Sequence, residues 1–162
     1  MKEKEIIPIN SYNEDQEEII DEDTQKNLTF TIGDETYGIQ IENITQIIGI
    51  QHITFIPHQP PYVKGVINLR GQIIPVMEIR TKFDKTVIEY DDRTCIIVVN
   101  KEDVYVGLIV DRVSEVLNIK EREIADAPSF NNAVKVKYIN GIAHVNDNVI
   151  ILLDIDRLLE NE

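Results

Sequence analysis

The chain has 162 residues, 43 % of them hydrophobic, with a formal net charge of −13 and one cysteine, Cys95. That length suits one ordinary domain or two very small ones, and a body of this size needs neither metal nor disulfide to bury a core. The negative charge argues against nucleic acid and anionic lipid as partners, since such binding draws on Lys and Arg, and a lone thiol with no secretory or membrane-spanning apolar run places the protein in a reducing cytoplasm.

Residues 1–27 hold nine acids against three lysines. They are expected to form a solvated, mostly disordered arm; the alternative is a short helix over Glu14–Ile20 that docks through Ile19 and Ile20. From Leu28 the texture becomes β-rich. "LTFTI" and "TYGIQI" alternate on either side of "GDE", a hairpin signature. "VINLRGQIIPVMEI" reads as a strand pair turning at Arg70-Gly71-Gln72. "TCIIVVN", "KED" and "VYVGLIV" repeat the hairpin from Thr94 to Val110. "YINGIAHVNDNVIILLDI" is a last pair, turning at Asn146-Asp147-Asn148, and the Asp that opens "DIDRLLENE" caps a short helix over about 154–161.

These parallels mark an internal duplication. A shift of 69 residues lays Tyr37–Ile50 over Val106–Ile119, so that Gly38 meets Gly107, Ile41 meets Val110 and Ile44 meets Val113. A shift of 76 lays Tyr62–Ile79 over Tyr138–Ile155, and Gly65 meets Gly141. Each half holds roughly five short strands, and small antiparallel sheets of this kind hide their edges by closing into barrels. The expected fold is all-β: two five-stranded barrels with pseudo-two-fold symmetry, about 28–90 and 91–156, with short helices between them and at the C-terminus. A groove at their junction is the natural binding site.

Signs of catalysis are lacking. His52, His58 and His144 stand at no metal-ligand spacing. Cys95 lies in an apolar strand, where an inert thiol is the default. "GDETYG" lacks the Lys and the helix of a phosphate-binding loop. Neither an enzyme nor a cofactor is expected. Arg70 is left: it falls at a hairpin tip where Gly71 permits positive φ. It either bonds a neighbouring carboxylate, extends into water, or meets a partner. Its counterpart in the second half is Asn146, so the barrel itself does not demand a guanidinium there.

The residues "YVKGVINLRGQIIPVMEIRTKF" together with "VGLIVDRVSEVLNI" resemble the CheW-like domain of bacterial chemotaxis, and the likeness extends from Leu28 to Leu159. The resemblance implies two five-stranded SH3-like barrels and a non-catalytic adaptor, monomeric when free, that links the cytoplasmic tips of chemoreceptors to the CheA histidine kinase. A related receptor–kinase pathway for motility or surface sensing is the alternative. Carried over by position, the receptor side comprises Gln46, Gly65, Arg70, Gly71, Cys95, Gly107 and Val113, although Gln46 stands where many members carry an acid. The kinase side, facing the regulatory domain of CheA, comprises Leu28, Ile41 and Ile44. On this reading Arg70 offers a planar fork of donors to a receptor helix, and Gly65 and Gly71 let that helix come close.

Overall fold

The computed structural model describes residues 23–126 and 136–160. The acidic arm lies outside these residues up to position 22. Its last part does not behave as an arm: β1 spans Thr24–Ile32 and pairs with a distant strand from Thr24↔Lys120 onward. The sheet therefore starts upstream of the expected boundary at Leu28. Thr24–Asn27 are polar and give no apolar signal, yet ladder bonds are made by backbone groups and need none.

Among the described residues ten further strands follow: β2 (Glu35–Gln40), β3 (Ile44–Gly49), β4 (Val63–Leu69), β5 (Gln72–Glu78), β6 (Cys95–Lys101), β7 (Val104–Val110), β8 (Arg112–Lys120), β9 (Ile124–Ala125), β10 (Ile139–Val145) and β11 (Asn148–Leu153). Short helices interrupt them, chiefly α1 (Ile79–Lys82) and α2 (Ile155–Leu158). Asp154 caps α2 by accepting from the Arg157 backbone N–H at 3.2 Å. Three hairpins turn through two residues of positive φ, namely Arg70-Gly71, Glu102-Asp103 and Asn146-Asp147. Such turns match the twist of the strands they join.

The strands form two sheets, six-stranded in the order β8-β1-β2-β11-β10-β9 and five-stranded in the order β3-β6-β7-β5-β4. The sheets are not the consecutive halves expected over 28–90 and 91–156. Hairpin β1–β2 of the first half sits among strands of the second, and hairpin β6–β7 of the second sits among strands of the first. The exchange obeys the duplication. Parallel pairing of Val76 with Gly107 in one sheet has its counterpart in Leu152 with Gly38 in the other, and these residues are related by the shifts of 76 and 69 found in the sequence. Local periodicity shows which residues form hairpins. It does not show which distant strand a hairpin joins, and without that information each half seems complete in itself.

Alternation along the strands divides the interior into three layers. One side of the five-stranded sheet buries Ile67, Ile74, Val76, Ile96, Val98 and Ile109. Its other side, with Met77, Ile97, Val99 and Leu108, meets Phe30, Ile32, Tyr37 and Ile39 of the six-stranded sheet. Beyond that sheet lie Ile119, Ala143, Val145, Ile150 and Leu152. The central layer, in which Phe30, Tyr37, Phe83 and Tyr138 stack in series, joins the two sheets into one body.

Candidate functional site

The register brings three of the expected receptor-side residues into one row. Gln46 pairs with Val98, Val98 with Gly107, Gly107 with Val76, and Val76 with Gly65. Paired residues share a face, and the face here is the interior one carrying Val76 and Val98. A Cβ on Gly65, whose φ is +154°, would lie 2.2 Å from the Thr54 carbonyl oxygen. That carbonyl accepts from Val66 N–H in the bridge that closes the loop after β3 onto β4. Gly65 thus admits the chain's own backbone and is buried. A Cβ on Gly107 would meet Ile96 Cγ2 at 2.7 Å. Both glycines have counterparts, Gly141 and Gly38, in the equivalent row of the other sheet. What both halves require belongs to the fold.

Arg70 differs. It is exposed at the tip of the β4–β5 hairpin with φ +53°, and makes no hydrogen bond or ion pair with any described residue. Gly71 follows at φ +86° and donates its N–H to Asn68 Oδ1 at 2.8 Å, which fixes the turn beneath the guanidinium. Open space surrounds the position of a Gly71 Cβ. Arginine is an uncommon choice for left-handed backbone, so neither conformation nor packing explains it.

Cys95 opens β6, half-buried, with its thiol 3.3 Å from the Arg93 carbonyl. Because β5 and β7 run parallel, the Arg70 turn lies at the end of the sheet where β6 finishes. Cys95 is at the other end, roughly 20 Å away at about 3.3 Å per residue. Val113 is on β8 in the six-stranded sheet, paired with Phe30 and half-buried. The receptor-side residues are therefore spread across both sheets. A cavity of about 670 Å³ does exist, but on the six-stranded sheet, beside His144, Val149 and Ile151 on the face whose Ile142 and Ile151 pack against the central layer, and none of the expected residues lines it. On the kinase side Leu28 is buried at 5 % exposure, Ile44 is half-buried and Ile41 is 38 % exposed in the 3-10 turn Ile41–Asn43. An interface there offers Ile41 first, with Leu28 as support beneath.

Sequence reasoning passed over a carboxylate with three hydrogen-bond donors. Asp111, the acid of "VDRV", stands between β7 and β8, where the chain crosses from one sheet to the other. It accepts from Arg80 Nε at 3.0 Å, from Arg80 Nη2 at 2.6 Å and from Gly33 N–H at 2.7 Å. Arg80 also donates to the Thr86 carbonyl at 2.9 Å. Burial alone would raise the Asp111 pKa, but the bonds from Arg80 and Gly33 outweigh it and hold the carboxyl below its ordinary value. Beside this pair, Lys85 meets Glu35 at 3.0 Å, and Glu35 accepts from Tyr37 Oη–H at 2.6 Å. The spacing of Arg80 and Asp111 obeys no helical or strand period, and only the fold unites them. Buried Glu78 accepts from Tyr90 Oη–H, and burial raises its pKa. It faces the interior and serves packing. Among the described residues no group of three His, Cys, Asp or Glu could hold a metal ion, and no helix is long and apolar enough to cross a membrane.

The model of the CheW-like domain family matches residues 26–162. The Chemotaxis protein CheW of Klebsiella aerogenes is 39 % identical over 138 residues, 85 % of this chain and 83 % of that protein. The Chemotaxis protein CheW of Helicobacter pylori is 34 % identical over 155 residues, 94 % of this chain and 88 % of that one. The crystal structure of the scaffolding protein TtCheW from Thermoanaerobacter tengcongensis superposes with a TM-score of 0.79 at 33 % identity, over 85 % of this chain and 94 % of that chain.

Proposed function

Since the chain belongs to the CheW-like domain family, we propose that it is a non-catalytic scaffold of chemotaxis signalling that couples the cytoplasmic tips of chemoreceptors to the CheA histidine kinase. The observation that carries the receptor half of this reading is Arg70. A guanidinium held on left-handed backbone, exposed, without a partner among the described residues, and absent from the duplicated hairpin is placed for recognition. It presents a rigid fork to a carboxylate or to backbone carbonyls of a receptor helix. Gln46, Gly71, Cys95 and Val113 flank the receptor surface, while Gly65 and Gly107 act by shaping the sheet that carries it.

The kinase half rests on the 3-10 turn. Ile41 is 38 % exposed, whereas its counterpart Val110 is 1 % exposed. The duplicated position that is sealed in one half is open in the other, and the apolar edge of Ile41 and Ile44 accepts the regulatory domain of CheA. The scaffold works in the cytoplasm at receptor arrays and is a monomer when free. Co-sedimentation with receptor-containing membranes tests the reading. The parent protein pellets with the membranes, and Arg70→Ala stays in the supernatant while still binding CheA.

A further inference from the structure

We propose that the Arg80–Asp111 pair is a positioning device that fixes the angle between the two sheets and thereby holds the receptor-side and kinase-side surfaces in one working geometry; the signalling part of this inference rests on the function proposed above. The chain passes between the sheets at two related places. One is the crossing from β2 to β3 through Ile41–Asn43, and the other is the crossing from β7 to β8 at Asp111. At the second, Asp111 and Arg80 tie together four segments: α1, the β7–β8 crossing, the β1–β2 turn through Gly33, and the loop after α1 through Thr86. The Asp111 N–H adds a bond to the Thr31 carbonyl at 3.2 Å. At the first crossing the duplication puts Glu42 in place of Asp111 and Asp156 in place of Arg80, two acids that cannot pair. Asp156 instead meets Lys101 at 3.4 Å.

The pair is thus present on one side of the pseudo-two-fold axis only, so two packed sheets do not in themselves require it. Hydrophobic attraction between the sheets has no direction of its own, so within the range that the interdigitated side chains allow it does not select one angle. A bidentate guanidinium–carboxylate pair does have direction. The side chains of Arg80 and Asp111 are 12 % and 22 % exposed, which limits competition from water. The expected receptor-side residues lie on both sides of this junction, with Val113 on the six-stranded sheet and Gln46, Cys95 and Arg70 on the five-stranded one. Neither Arg80 nor Asp111 needs to touch a partner to alter how both partners are held.

Kinase activation is measured on the full chain with Cys95 kept, and only the distance measurement uses Cys95→Ser with spin labels at Gln72→Cys and Asn148→Cys, exposed positions that follow equivalent hairpin turns in the two sheets. Asp111→Asn keeps the shape and removes the charge; Arg80→Lys keeps the charge and removes the fork. Both variants are expected to melt cooperatively and to bind the CheA regulatory domain within about threefold of the parent. The label-to-label distance distribution should widen at least twofold, and receptor-dependent kinase activation should fall about tenfold. An unchanged distribution in both folded variants overturns the proposal, as does loss of folding in both, which would make the pair a plain folding requirement. If the parent itself neither binds nor activates, the proposed function fails, while the distance widths still decide whether the pair sets the angle.

Discussion

Replacing Arg70 with asparagine separates folding from recognition in a single change. The residue sits at φ +53° in a two-residue turn, and its duplicate Asn146 sits at φ +52° in the same kind of turn. Left-handed backbone costs an ordinary side chain about 1–2 kcal/mol, and asparagine tolerates it better. With no side-chain bond to lose among the described residues, Arg70→Asn should stabilise the fold by about 0.5–1 kcal/mol. A change of that size raises the melting temperature of a domain this long by roughly 1–4 °C. Removing a charged donor group from a binding surface costs on the order of 2 kcal/mol, which is about thirtyfold in affinity at 1.4 kcal/mol per factor of ten. Thermal melts followed by circular dichroism and receptor-membrane sedimentation read the two effects separately. Arg70→Lys should recover part of the binding, since an ammonium lacks the planar fork. A lowered melting temperature with binding intact would refute the reasoning and make Arg70 a structural residue.

Deleting residues 1–22 should leave the melting temperature nearly unchanged, whereas deleting 1–27 should lower it sharply, because Thr24–Asn27 pair with Leu117–Lys120 in β8; equal melts for the two truncations would contradict this. Ile41→Asp should weaken CheA binding at least tenfold in a folded protein, by burying an unpaired charge in an apolar contact, and undiminished binding in a pull-down would remove that edge from the interface. Gly65→Ala should destabilise by about 3 kcal/mol or more, since a Cβ 2.2 Å from the Thr54 carbonyl must displace backbone; a parent-like denaturant midpoint would show that the loop after β3 yields. Asp111 and Glu35 have lowered pKa values in the fold, despite burial, through their bonds to Arg80 and Gly33 and to Tyr37 and Lys85 respectively. Their contribution is complete above the ordinary carboxylate pKa and is lost as pH falls through the depressed folded values. Asp111→Asn should therefore lose less stability than the parent across that acid window, and parallel melting curves would argue otherwise.

Much of the fold is legible in the order of residues alone. Hairpins announce themselves by alternation around Gly33, Arg70, Glu102 and Asn146, and the shifts of 69 and 76 predict which residues become equivalent. What alternation cannot express is the partner of each hairpin. The exchange of β1–β2 for β6–β7 depends on contacts such as Leu28↔Val116 and Met77↔Leu108, far apart along the chain. The candidate site is legible in proportion to its exposure. Arg70 stands out by its turn and by its asymmetry with Asn146. Gly65 reads as a place of close approach, but the sequence cannot say that the Thr54 carbonyl of the same chain lies against it, and it gives no sign that Ile96 lies against Gly107. Asp111 is visible only as part of a motif, because its partner Arg80 belongs to a different sheet-to-helix junction.

The central claim is that one surface of this scaffold holds receptor tips while another holds CheA. Its most direct test is co-sedimentation of the full chain with receptor-containing membranes, with and without CheA. The account predicts that the protein pellets in both cases, that CheA pellets only when the scaffold is present, and that Arg70→Ala abolishes both while leaving the soluble scaffold–CheA complex intact. Recruitment of CheA by the Arg70→Ala variant at the parent's level would contradict it.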